Sequence, residues 1–396
     1  MKIKYGLVLA LLIALTLIVY PTLAAPPQHG PAPEYKELWQ GEARLFVADN
    51  ARNEIVVVDL PDGQVTARLN VPPKTMTMGV TPDKAYLIVA RSRDADRQHV
   101  SVIATGVEKE GLRLPFIAKT LLLGKAIGGI HGDHVGELWG KLYLVVESQG
   151  KIHRFDAKAL DPSAAFETSV LDVKTPDHYD LEEVGERVWV GGIRSGVRLF
   201  DQQGKEVVRF ECPVNHGLIH DAKTKRVFFA CAQDVLVVED TTLKTRIPYP
   251  ITERIGAFTQ TNSAIFGTSE HVQNLQLIDA AALTITPVPL KSTLYARATT
   301  PDKENLLVLL QNGELQVRDG KKGEVIRTIP VSQELPEMDE TVAGAIMPSI
   351  ATYKERAFVS LPHRGWIAEV DWQQGKLLRY LMIGGMPTRL VLVPAK

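Results

Sequence analysis

Repetition is what most limits how this chain can fold. Short runs rich in Val, Ile and Leu each end in an acidic residue, turn, and start a further apolar run: VVVDLPDGQVTARL, IHRFDAKAL, VRLFDQQGKEVVRF, LVVEDTTLKTRIPY, LQLIDAAALTITPV, LQVRDGKKGEVIRT and AEVDWQQGKLLRY. The closing aspartates are Asp59, Asp156, Asp201, Asp240, Asp279, Asp319 and Asp371, and a degenerate copy at 101–106 (SVIATG) fills the gap between the first two. The copies recur every 39 to 52 residues or so, the period of four-stranded propeller blades. An aspartate at a strand end suits an Asx-type turn, its carboxylate accepting backbone N–H groups. Helical periodicity of any length is absent after the N-terminal apolar segment. The expected fold is therefore all-β, a β-propeller of eight four-stranded blades. Seven is the alternative if the long segments near 108–123 or 333–344 are insertions.

The two ends of the repeat region complete each other. The first repeat, from Arg44, has three strands (RLFVADN, IVVVDL, VTARLNV), whereas Pro387–Val393 (PTRLVLV) is an apolar run with no partner in its own repeat. Added to the first three strands it completes a blade, which removes a sheet edge that would otherwise template aggregation.

Ahead of the repeats, residues 1–24 carry the marks of a secretory signal: Lys2 and Lys4, an apolar core from Gly6 to Tyr20, and the small residues of Thr22-Leu23-Ala24. That core is shorter than the roughly 20 residues of a spanning helix, so cleavage rather than anchoring is expected. The reading divides the chain into a signal peptide (1–24), an N-terminal extension (25–40) and one propeller domain (41–396). The mature protein is expected to be periplasmic or secreted, monomeric and free of the membrane. Basic and acidic residues number 45 and 46; with no basic stripe interleaved with aromatics, a nucleic-acid partner is not expected. Cys212 and Cys231 are the two cysteines, and an oxidising compartment favours a disulfide between them. Two buried free thiols are the alternative.

Three histidines share one phase of the repeat. His131, His178 and His216 each stand nine or ten residues before a strongly apolar run (KLYLVVES, RVWVGGI, RVFFACA). In a propeller this is the start of a blade's innermost strand, at the mouth of the central channel, so the three imidazoles belong to the third, fourth and fifth blades. Zn²⁺ suits three nitrogens and a fourth donor. Asp133, His134, Asp177 and Asp180 flank the triad as further candidate ligands or as acceptors behind them, and His220 follows His216 on the same strand. The plainer alternative is a wet channel rim whose histidines hydrogen-bond solvent.

One segment resembles a known family. RFECPVNHGLIHDAKTKRVFFACAQDVLVVEDTTLKTRIPYP is similar to the AztD-type periplasmic zinc metallochaperones, propellers with a Cys-Pro-x-x-His-Gly motif, a second Cys at the end of the next strand, and a Lys/Arg-Ile-Pro-Tyr-Pro stretch. Cys212-Pro213-Val214-Asn215-His216-Gly217, Cys231 and Arg246-Ile247-Pro248-Tyr249-Pro250 match in order and spacing, and weaker similarity runs from about Glu42 to the C-terminus. The resemblance implies zinc at the propeller face and its delivery to the solute-binding protein of a zinc ABC transporter. His216 matches the motif histidine. His131 looks like the histidine before the family's third-blade strand, with Ile130 in place of a proline. His178 looks like part of a His-His-Gly element, with Asp177 and Tyr179 replacing its neighbours. The family's His/Asp-rich loop of the second blade corresponds here to TGVEKEGLRLPFIAK, which contains no histidine.

Hydrolytic and nucleotide motifs are missing: there is no GxSxG, HExxH or P-loop. The chain is thus expected not to be an enzyme. Two other classes stay open: a propeller enzyme, hydrolase- or lactonase-like, with a catalytic metal at the channel mouth, and a metal-free interaction scaffold.

Overall fold

A computed structural model describes residues 40–72, 75–91, 99–123, 130–131, 137–268, 274–337 and 347–395. The expected signal peptide and nearly all of the N-terminal extension lie outside them. The described strands form eight sheets. Seven have four strands, and in the third blade the innermost strand comes in two pieces, Ile130–His131 and Glu137–Leu138, which pair with Lys141–Val146 in different registers. Eight blades is thus the observed number, not seven.

The fourth blade shows how sequence sets position. Its strands are Tyr179–Val184, Arg187–Gly192, Gly196–Asp201 and Glu206–Phe210, each antiparallel to the next. The middle two (RVWVGG, GVRLFD) are almost continuously apolar and buried, because neighbouring blades cover both faces. The first strand, YDLEEV, is largely half-buried along the channel, and the last, EVVRF, is mostly exposed at the rim. The core accordingly lies between blades: Phe46, Ile55, Leu87 and Val89 fill the seam of the first and second. Trp189, Phe229 and Leu236 fill that of the fourth and fifth, where the Trp189 and Phe229 rings meet edge-on at 5.3 Å.

The turns after the third strands bear out the Asx reading at four sites. Asp201, Asp279, Asp319 and Asp371 each accept backbone N–H groups two to four residues on. Three others depart from it. Asp59 binds the buried Arg44 guanidinium at 2.6 and 3.0 Å. Asp156 precedes a 3-10 turn without capping it through its side chain, and Asp240 takes a positive φ of 54° and pairs with Arg187. Arg44 explains the first departure, since a charge buried at the seam of two blades needs a carboxylate nearby.

Closure follows the expected route. Pro387–Pro394 pairs antiparallel with Ala43–Asp49, completing the first blade from both ends of the repeat region. First strands of successive blades stand side by side around the axis. They all start at one end of the ring, here the upper face, where the turns between second and third strands also lie; turns between third and fourth strands lie at the lower face.

Candidate metal centre

Two adjacent blades bring the site together at the upper face. His178 immediately precedes the first strand of the fourth blade (Tyr179–Val184), and His216 stands two residues before that of the fifth (Leu218–Asp221). The His216 N–H donates to the carbonyl of Ala230 at 3.1 Å, so the residue extends the ladder of its own blade. Gly217 beside it has φ of 105°, and a Cβ there would sit 3.0 Å from the Ala257 Cα of the sixth blade, so glycine suits the position on both counts. Val214, at φ of 54°, makes the turn into this segment, an uncommon conformation for a β-branched residue. Its backbone is held by an N–H donated to Ile193 O at 2.9 Å, while Pro213 O accepts from Ala232 N at 2.7 Å.

His178, Asp180 and His216 each present a ligand atom, all within 4.8 Å of one another. The imidazole rings stack with centroids 4.8 Å apart at 27°. His178 Nδ1 is hydrogen-bonded to Glu147 Oε1 at 2.5 Å, and His216 Nδ1 to the carbonyl of Gly256 at 2.5 Å. A hydrogen bond donated through Nδ1 assigns metal coordination to Nε2. Asp180 Oδ2 accepts from Gly217 N at 2.6 Å, which ties the fourth blade's carboxylate to the fifth blade's histidine segment. Tetrahedral zinc with nitrogen and oxygen ligands needs donors roughly 3.3 Å apart. The donor set, now within 4.8 Å, fits one such ion once the widest separation closes by about 1.5 Å.

Electrostatics favour the neutral, coordinating form of His216. Burial pushes its pKa below the ordinary imidazole value; the Asp180 carboxylate pulls it back, the neighbouring His178 lowers it further, the Gly256 carbonyl raises it, and Arg254 lowers it.

The other candidates fall in different places. Asp177 is buried, and its carboxylate holds the next turn: Oδ1 accepts from His178 N, and Oδ2 from Arg194 N, Ser195 N and Ser195 Oγ, all between 2.8 and 2.9 Å. His220 lies deeper on the fifth blade's first strand, opposite Val227, and does not join the cluster; burial depresses its pKa, with Asp221 opposing. His131 follows Ile130 in the first piece of the third blade's inner strand and pairs with Val145, which stands two residues before Glu147; the His131 side chain lies outside the described residues. So do Asp133 and His134. Cys212 and Cys231 form a disulfide with Cα atoms 5.0 Å apart, buried between the fourth and fifth blades.

Glu147 is the residue that sequence reasoning missed. It ends KLYLVVE, where an acidic group follows a buried strand, but its partner is 31 residues away and no spacing links them. The segment TGVEKEGLRLPFIAK is placed far from the site. It joins the third and fourth strands of the second blade at the lower face, forms a small bridge between Val107 and Leu112, and packs Leu112 away completely. Arg44 Nη1 ties it down by donating to Thr105 O and Arg113 O, each at 2.6 Å.

The fold matches solved structures of AztD from Citrobacter koseri. The apo form is 19% identical over 90% of this chain and 99% of that chain, with a TM-score of 0.71. A second AztD structure gives 19%, 90%, 98% and 0.73. The dihydro-heme d1 dehydrogenase NirN, in complex with DHE, matches at 12% identity over 92% of this chain and 77% of that chain, with a TM-score of 0.63. No protein-family model and no curated protein matches the sequence. In fold, the chain is an AztD-like eight-bladed propeller.

Proposed function

We propose that this is an exported metal-binding propeller that holds Zn²⁺ at its upper face and passes it to the solute-binding protein of a zinc ABC transporter. His178 and His216 supply imidazole nitrogens and Asp180 a carboxylate oxygen, with His131 as the third imidazole in the triad read from the sequence. The observation that carries the reading is the convergence of these described groups from two blades within 4.8 Å. Support comes from the Cys-Pro-x-x-His-Gly motif around His216, the likeness in fold to AztD, and a donor set of nitrogens plus one oxygen that suits zinc. Export is supported by the signal-like residues 1–24 and by the disulfide. No described helix is long and apolar enough to cross a membrane.

Two imidazoles and a carboxylate gathered at a channel mouth would bind a cation in exchangeable fashion, since a ligand from an acceptor can approach before the last donor leaves. Calorimetric titration of demetallated mature protein at neutral pH should show about one tight zinc per chain. His216→Ala should lose most of that affinity while keeping the fold. Because the His216 pKa is held below the ordinary value of about 6.5, binding should be retained at neutral pH and fall as acidification protonates the imidazoles. No saturable zinc binding by the wild-type protein would end this reading.

A further inference from the structure

The two described imidazoles are anchored by unequal partners. His178 and Glu147 have side chains only 8% and 3% exposed. Glu147 belongs to the third blade, in the 3-10 turn Glu147–Gln149 that follows its second strand. That turn is fixed to the His178 segment, because Glu147 O accepts from Asp177 N at 3.2 Å. A carboxylate this deeply buried is costly unless paired, and the His178 imidazole meets it at 2.5 Å. His216, half-buried, donates instead to a neutral carbonyl, that of Gly256.

The difference matters for coordination. Either acceptor fixes the Nδ1–H tautomer, but a carboxylate also makes the imidazole a stronger donor at Nε2. Resting on the zinc-binding function, we propose that Glu147 is a positioning residue that makes His178 the anchoring ligand of the centre, leaving His216 as the imidazole that yields first when the metal passes on. Neither the sequence motif nor the spacing of the histidines points to Glu147.

The test is a double-mutant cycle read by zinc competition against chromophoric chelators of graded strength. Glu147→Gln, which keeps an acceptor but removes the charge, should weaken zinc binding by about 10-fold. It should cause the same loss in a His216→Ala background and no further loss in a His178→Ala background. Equal loss in both backgrounds would show that Glu147 acts elsewhere, as a direct ligand for instance, and wild-type affinity in the variant would overturn the proposal outright. Should Glu147→Gln fail to fold, the nitrogen NMR spectrum of metal-free wild-type protein decides. His178 is expected as the Nδ1–H tautomer, and an Nε2–H form would refute the pairing. Unchanged affinity in Glu147→Gln alongside tight wild-type binding sinks only this inference, whereas a wild-type protein that binds no zinc removes it together with the function it rests on.

Discussion

Glu182 illustrates what a propeller channel does to a single carboxyl. It lies on the first strand of the fourth blade, opposite Trp189, beside a cleft lined by Leu138, Tyr143, Leu181 and Val188. Burial alone pushes its pKa up to about 7, against an unfolded value of about 4.3. A carboxyl with a raised folded pKa stabilises the fold at low pH, and that contribution is lost as pH rises from the unfolded value through about 7. Glu182→Gln cannot ionise. Its advantage over wild type in urea unfolding should therefore be small at pH 4 and larger at pH 8; a gap that does not change with pH would contradict the assignment. Residue-level roles were the least legible part of the sequence. Asp177 and Asp180 read alike beside His178, yet one carboxylate holds a turn and the other faces the cluster, because alternate residues at a strand start point to different neighbours.

Elements were far more legible, since a strand covered on both faces must be apolar along its length. The runs KLYLVVES, RVWVGGI and RVFFACA all become second strands, and the two ends of the repeat region pair as their composition implies. What did not show is irregularity. The outer strand pair carries a register shift in the first, second, fourth, fifth, seventh and eighth blades. Such shifts increase local twist, and the alternation of apolar and polar residues does not mark where they fall. At the same scale, the disulfide spans 19 residues and crosses the seam between the fourth and fifth blades. In the chain-entropy model such a loop is worth about 3 kcal/mol. Replacing both cysteines by Ala should lower unfolding free energy by about that amount and speed zinc loss to excess chelator, since His216 stands inside the closed loop. Alkylation of the wild-type protein denatured without reductant should label no thiol.

For the whole molecule, the proposed function raises the question of how zinc would leave. The stretch TGVEKEGLRLPFIAK, which the sequence resemblance sets against a histidine-bearing loop, contains no histidine and is packed at the lower face, opposite the site. Under the proposed function, zinc held by the described donors would have to leave without help from this stretch, and transfer is expected to be slower than with a mobile histidine-bearing loop. Stopped-flow transfer to a zinc-transport solute-binding protein should give rates that rise with acceptor concentration. Identical, concentration-independent rates for that protein and a small chelator would mean simple dissociation and a store rather than a chaperone.

The groups around the candidate centre come from four consecutive blades: Glu147 from the third, His178 and Asp180 from the fourth, His216 from the fifth, and Gly256 at the start of the sixth. No single blade sets the distances between them, so the gauge of the site is the pitch of the ring. A tilt of one blade against the next would widen the gap between His178 and His216 while both sheets stayed intact, like the two arms of a caliper. Cys212 and Cys231 are bonded across that same seam. The disulfide therefore acts as the caliper's locking screw, and the gap it locks is the one a metal ion would measure.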